Sequence, residues 1–197
     1  MTQDVLIALV TYAFVTSVTP GPNNLMLMAS GANFGFRRTI PHMLGIGVGF
    51  VVMTVLVGLG LVGVFDRWPV THDVLKVASV AYMLWLAWKI ANAAPPAEGA
   101  PAGKPFSFLQ AAGFQWVNPK AWAMALTAIS VYAPGQAVGA VLWVGAVFGA
   151  VNLPTVSTWT LAGQAMRRAL SDPARLRLFN RAMALALVAS LWPVLVP

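Results

Sequence analysis

The chain has 197 residues, of which 59% are hydrophobic and 9% charged, with a net charge of +7. A soluble domain carries about 25% charged residues, and a globule this apolar would run out of polar side chains to face water. Disorder requires the opposite composition, so the class that remains is an all-α polytopic membrane protein. There is no cysteine, which excludes disulfides, thiolate metal sites, iron–sulfur clusters and a cysteine nucleophile. His42 and His72 are the only histidines, too few for a histidine-rich metal or haem site, and no cofactor is expected.

A spanning helix needs about 20 mostly apolar residues. Residues 5–36 hold no charge, and residues 39–65 hold none apart from His42. Residues 74–91 are apolar between Lys76 and Lys89, whose stems can snorkel to the two interfaces. Residues 105–166 contain one charge, Lys120, and are long enough for two spans turning at Ala133-Pro134-Gly135-Gln136. A last apolar stretch begins at Ala182. The expected spans are therefore six, at about 3–34, 40–65, 72–92, 106–132, 137–164 and 178–196. Continuous apolar runs, rather than short alternating segments, exclude a transmembrane β-barrel. The first span is not a signal peptide, because Met1-Thr2-Gln3-Asp4 lacks a basic n-region and the run is too long.

Residues 93–105 form a Pro/Ala/Gly linker between two halves of three spans, about 1–92 and 106–197, within a single transmembrane domain. Arg37, Arg38, Lys89, Lys104, Arg167, Arg168, Arg175, Arg177 and Arg181 all fall on one side of this topology, leaving Arg67 and Lys76 opposite. Basic residues face the cytoplasm, so both termini are expected outside. The same asymmetry explains the basic charge balance without nucleic acid. The 167–181 loop fits plain topology control better than a dedicated lipid site.

Two spans are interrupted. In the first, Thr19-Pro20-Gly21-Pro22-Asn23-Asn24 cannot continue a regular helix, because each proline lacks an N–H and clashes with the carbonyl four residues back. The carbonyls of Thr16 and Val18 lose their donors, and Asn23 or Asn24 can cap a half-helix starting at Pro22. In the fourth, Asn118-Pro119 reads as an N-cap followed by a proline at the first helical position; Pro119 frees the Gln115 carbonyl, and Lys120 adds a cation. Pro20 and Pro119 are 99 residues apart, each in the first span of its half. Three spans per half make the second half enter the membrane in the opposite direction. Paired breaks in such an inverted repeat mark a transporter's substrate site, whereas a single kink would be read as packing.

A third break, at Asn152-Leu153-Pro154, is as readily a packing kink as a site. Gly45, Gly47, Gly49, Gly58, Gly60 and Gly63 offer small faces for close helix contact and permit, without requiring, a homodimer. Trp68, Trp85, Trp88, Trp143, Trp159 and Trp192 read as interface anchors, and Trp116 and Trp122 flank the fourth-span break. No H-E-x-x-H, G-x-S-x-G or P-loop pattern occurs, which argues against an enzyme. The rival classes are a small channel and a scaffold subunit without carrier activity.

At these residues the sequence resembles the LysE/RhtB family of bacterial amino-acid exporters. TPGPNN at 19–24 with GFRR at 35–38, LGIGVGF at 44–50, VLKVASVAYMLWLAWKIA at 74–91 and FQWVNPKA at 114–121 carry the resemblance. Within the family, TPGPNN, AYMLWLAWKIA at 81–91 and KPFSF at 104–108 look most like the cysteine/O-acetylserine branch. The resemblance implies efflux of small neutral amino acids or derivatives across the inner membrane, driven by an ion gradient, with proton coupling by analogy. Alongside it, the residues themselves suggest a zwitterion site made of Thr16, Thr19, Pro20, Gly21, Pro22, Asn23, Asn24, Gln115, Asn118, Pro119 and Lys120. Helix N-termini and Lys120 would face the carboxylate, and the freed carbonyls the ammonium. No Asp or Glu lies deep in a span, which favours neutral cargo. His42 is the one histidine candidate for a coupling role, with an interfacial position as its alternative.

Overall fold

The computed structural model describes residues 2–61, 63, 67–68, 70–93 and 103–192. Among them every regular element is helical. In chain order these are α1 (Gln3–Val18), α2 (Pro22–Phe34), α3 (Phe36–Leu56), α4 (Val70–Ala91), α5 (Phe108–Phe114), α6 (Pro119–Tyr132), α7 (Val138–Ala165) and α8 (Pro173–Ala189). A π turn, Val57–Leu61, extends α3, and a 3-10 turn, Gln115–Val117, joins α5 to α6.

Both expected interruptions are present. The chain bends by 54° between α1 and α2. Thr2 caps α1 by accepting from the Val5 N–H, and Ser107 and Gln110 form a reciprocal capping box on α5. This box explains the KPFSF segment locally: Ser107 fixes where the helix begins. The interruption expected at Asn152-Leu153-Pro154 does not form, because α7 runs unbroken through Pro154 for 28 residues. Next to the proline, Thr155 Oγ1 donates to the carbonyls of Val151 and Asn152.

By length and composition, three helices can cross a membrane alone, Phe36–Leu61, Asp73–Ala91 and Val138–Ala165, and the bent α1–α2 pair makes a fourth. The divided α5–α6 segment and the 17-residue α8 are shorter than the spans expected there. The end of the expected sixth span, residues 193–197, and most of the 93–105 linker, residues 94–102, lie outside the described residues, as does Asp66.

Large apolar side chains point outward on most of the long helices, among them Phe14, Val48, Trp88, Trp143 and Leu185. Such a belt is stable only against lipid. The buried interior is correspondingly richer in small and polar residues, and helices meet there through backbone proximity. The tightest junction joins α2 and α7. A Cβ on Gly31 would collide with the Thr160 carbonyl, and one on Gly163 with the Met28 carbonyl. Gly45 similarly lets α3 lie directly on the Phe108 carbonyl of α5. The packing role expected for Gly45 and Gly49 is therefore observed, whereas Gly60 and Gly63 have no neighbour within 4 Å.

Candidate functional site

The two breaks meet. The Lys120 side chain, from the first turn of α6, crosses to the break between α1 and α2. Its Nζ donates to the Thr19 carbonyl and Thr19 Oγ1, each at 2.9 Å, and to the Pro20 carbonyl at 3.3 Å. All three ammonium donors are thereby engaged. Gly21 makes this possible: its backbone is extended, which any residue adopts, but a Cβ there would lie 2.7 Å from Lys120 Cδ. Any larger residue at 21 would make the lysine side chain shift.

A second bridge runs alongside. Asn23 Nδ2 donates to Gln115 Oε1 at 2.9 Å, and Gln115 Nε2 returns a bond to Asn23 Oδ1 at 3.1 Å. Gln115 also donates to the Ala111 carbonyl and is fully buried. Asn24 turns back into its own break, donating to the carbonyls of Ser17 (2.7 Å) and Thr19 (2.8 Å). Asn118 caps α6 as expected, its Oδ1 accepting from the Lys120 N–H at 3.2 Å. The expected Asn23 or Asn24 cap on α2 does not form: Gly21 is the N-cap residue, no side chain caps it, and both asparagines are spent across the break.

The freed carbonyls are not vacant. Thr19 Oγ1 donates to the Thr16 carbonyl at 3.0 Å, Trp159 Nε1 to the Val18 carbonyl at 3.1 Å, and the Asn118 N–H to the Gln115 carbonyl at 3.3 Å. Each of these three carbonyls, expected to face an ammonium, thus already accepts one hydrogen bond within the chain, and a carbonyl oxygen can accept two. A bare carbonyl in this setting costs several kcal/mol, and the fold supplies a donor to each. Trp159 is thus a bonded strut, where an interface anchor was expected. Trp122 is buried, donates Nε1 to the Trp116 carbonyl and packs edge-on against Trp116, so this pair braces the break from outside the chamber.

Between the breaks lies a small polar chamber. Its walls include Thr16, Ser17, Gly21, Asn24, Asn118 and Lys120, closed by Phe50 of α3 and Asn152 of α7. Pro20, Pro22 and Pro119 shape the backbone around it. The free space, about 30 Å³ measured at the centre of a water molecule, holds one or two waters. An amino acid is several times larger, so the chamber is closed around its polar groups. Ser17 and Asn152 were not among the expected site residues. The sequence signal for Asn152 was an asparagine two residues before a proline in a span; Ser17 carried none beyond its nearness to Pro20.

His42 is 2% exposed, so the expected interfacial alternative does not hold. Neither ring nitrogen has a hydrogen-bond partner among the described residues, and the ring packs 5.3 Å from that of Phe106. It borders a separate cavity of about 300 Å³, with Ser30, Asn33, Lys89 and Lys104. A buried cluster of Leu27, Met43, Ile46, Ala111 and Val156 separates this vestibule from the chamber. Helix register gives the same order twice. Along α3, His42, Ile46 and Phe50 belong in turn to vestibule, cluster and chamber. Along α2, Ser30, Leu27 and Asn24 follow suit. Among the described residues no group of His, Asp or Glu side chains could hold a metal ion.

Paired broken helices around a closed polar chamber are transporter architecture, and comparison with known proteins agrees. The profile of the LysE type translocator family matches residues 14–189. The chain belongs to the LysE family. It is 35% identical to the cysteine/O-acetylserine efflux protein of Escherichia coli (strain K12) over 195 residues, covering 95% of this chain and 96% of that relative. The protein of the same name from Shigella sonnei (strain Ss046) matches to the same extent. That of Escherichia coli O139:H28 is 36% identical over 175 residues, 85% of this chain and 87% of the relative. No solved structure matches. As a LysE-family member the chain is a multi-pass membrane transporter and not an enzyme.

Proposed function

We propose that this protein is a secondary active exporter of small neutral amino acids or their derivatives, of the cysteine/O-acetylserine kind, in the bacterial inner membrane. The observation that carries the reading is the Lys120 bridge, which joins the two helix breaks across one polar chamber. The names of the relatives supply the cargo class.

An inverted repeat is supported by register. At an offset of 99 residues Thr19, Pro20 and Gly21 correspond to Asn118, Pro119 and Lys120. Gly21 and Lys120 also touch. Equivalent positions meet where a two-fold axis passes between two copies, so this contact is what such a repeat requires. Several helix neighbours fit as well, although the close α2–α7 junction has no equally close counterpart between α6 and α3. Span two packs on span five (α3 on α7), and span three on span six (α4 on α8); each pairing maps onto itself. The packing of α1 on α7 has its counterpart in α5 on α3. The basic residues of the 35–38, 89–104 and 167–181 segments support an orientation with both termini outside.

In this reading a zwitterion enters the chamber with its carboxylate toward the uncapped N-terminus of α2, beside Lys120. The described acidic residues stand at helix starts: Asp4 in α1, Asp73 in α4 and Asp172 as the cap of α8. None can balance a second cationic group on the cargo, which favours neutral amino acids. The two halves rock about the breaks, and the Leu27–Ile46–Val156 cluster parts to admit cargo from the vestibule. Coupling to protons is part of the proposal by family analogy, with His42 as the candidate group on the vestibule wall.

Counterflow in proteoliposomes tests this reading. Vesicles loaded with unlabelled cysteine, O-acetylserine, homoserine, threonine or leucine should accelerate uptake of the labelled form of at least one. Asn118→Leu should abolish that exchange while the protein still inserts. Leak without stimulated exchange would identify a channel, and no movement of any panel member would identify a scaffold.

A further inference from the structure

The donors and acceptors of the chamber are out of balance. The hydroxyl of Thr16, the Asn24 amide and the Lys120 ammonium are directed at protein acceptors, and Asn23 spends an amide hydrogen on Gln115. Each backbone carbonyl expected to be bare at the breaks has found a donor. Among the described residues, two side-chain oxygens of residues lining the chamber have no partner: Ser17 Oγ and Asn152 Oδ1. They are well covered, the residues being 5% and 6% exposed.

Neither is an ordinary helix hydroxyl or amide. A serine or threonine in a helix usually bonds back to the carbonyl three or four residues earlier. Thr16 does so to Tyr12 at 2.7 Å, and Thr160 to Val156 at 3.0 Å. Ser17, adjacent to Thr16 and in the last turn of α1, does not. Asn152 sits in mid-helix, where a side-chain amide has no capping duty. A buried polar atom without a partner costs about 1–3 kcal/mol, so two on one small wall call for a ligand that satisfies both. An amide oxygen can only accept and a serine hydroxyl can accept too, so a ligand that brings N–H donors to that side satisfies both.

We propose that Ser17 and Asn152 form the subsite for the cargo's α-ammonium group and make the transporter selective for amines over otherwise identical acids. This rests on the exporter reading above. The ammonium lies against α1 and α7 while the carboxylate points to the start of α2. The freed carbonyls of span one hold the break in shape, and the two orphan side chains do the recognising.

The test uses the full-length protein in proteoliposomes exchanging labelled O-acetylserine. L-cysteine competes against 3-mercaptopropionate, which differs from it only in lacking the amino group. For wild type, cysteine should inhibit about 100-fold more strongly, two charge-assisted bonds each giving a factor of about ten. In Ser17→Ala and Asn152→Leu this preference should fall at least about tenfold through loss of cysteine inhibition, with the 3-mercaptopropionate constant little changed. A variant damaged only in folding or gating would weaken both competitors together. Where a variant no longer exchanges, ligand-induced thermal stabilisation of the purified protein by the same two compounds reads the same ratio. An unchanged preference in both variants overturns the proposal and leaves the two oxygens as water sites. Absence of any amino-acid exchange in wild type would instead overturn the exporter reading itself.

Discussion

Gly21→Ala is a one-carbon probe of the junction between the two breaks. The added Cβ would stand 2.7 Å from Lys120 Cδ and 3.1 Å from Nζ. A comfortable carbon–carbon contact begins at about 3.5 Å, so the lysine must retreat by about 0.8 Å. Its two bonds to Thr19 are 2.9 Å long; stretched by that amount they reach about 3.7 Å and no longer qualify as hydrogen bonds. Hydrogen bonds involving a charged group are worth about 1.5–3 kcal/mol each. Water can reach this partly exposed lysine and replaces some of the loss. A net penalty of about 2 kcal/mol corresponds to a roughly 30-fold fall in turnover. Lys120→Met removes the bridge altogether and should reduce export further. The double variant Gly21→Ala/Lys120→Met should be no worse than Lys120→Met alone, since the alanine then has no ammonium to displace. The assay is counterflow in proteoliposomes, normalised to reconstituted protein. Wild-type exchange by Gly21→Ala, or strictly additive losses in the double variant, would refute the bridge as a working part of the site.

The Asn23–Gln115 pair gives a second expectation. Asn23→Leu strands the fully buried Gln115 amide and should destabilise the protein by about 2 kcal/mol, lowering its thermal midpoint in detergent. Asn23→Leu/Gln115→Leu, which removes both polar partners, should recover much of the loss. Topology can be read directly, because the chain contains no cysteine. A single cysteine replacing Thr2 should react with an impermeant maleimide in intact cells, and one replacing Ser171 should react only after lysis. The reverse labelling would invert the proposed direction of the whole chain.

Several features of this protein were legible in the order of residues alone. Prolines at 20, 22 and 119 must interrupt a helix wherever it lies, because the missing N–H and the ring clash act within one turn. Composition likewise forced a membrane setting, and the Ser107–Gln110 and Asn118–Pro119 signals set helix starts by contacts no more than three residues apart. Repeat spacing in the sequence also located both breaks. Proline alone was an unreliable guide at 154, where α7 runs on without a break.

What the tertiary structure decided was who bonds to whom. Trp159 and Val18 are 141 residues apart, and Lys120 and Thr19 are 101 apart; no local pattern can announce such partners. A freed carbonyl in sequence is an open acceptor, and in the folded chain it is open only if no distant donor reaches it. The same long-range matching left Ser17 and Asn152 unpaired and buried His42, which has a quite ordinary local sequence. Local sterics fix where a chain must break. Which polar groups remain free at the break depends on the balance of donors and acceptors that packing brings together.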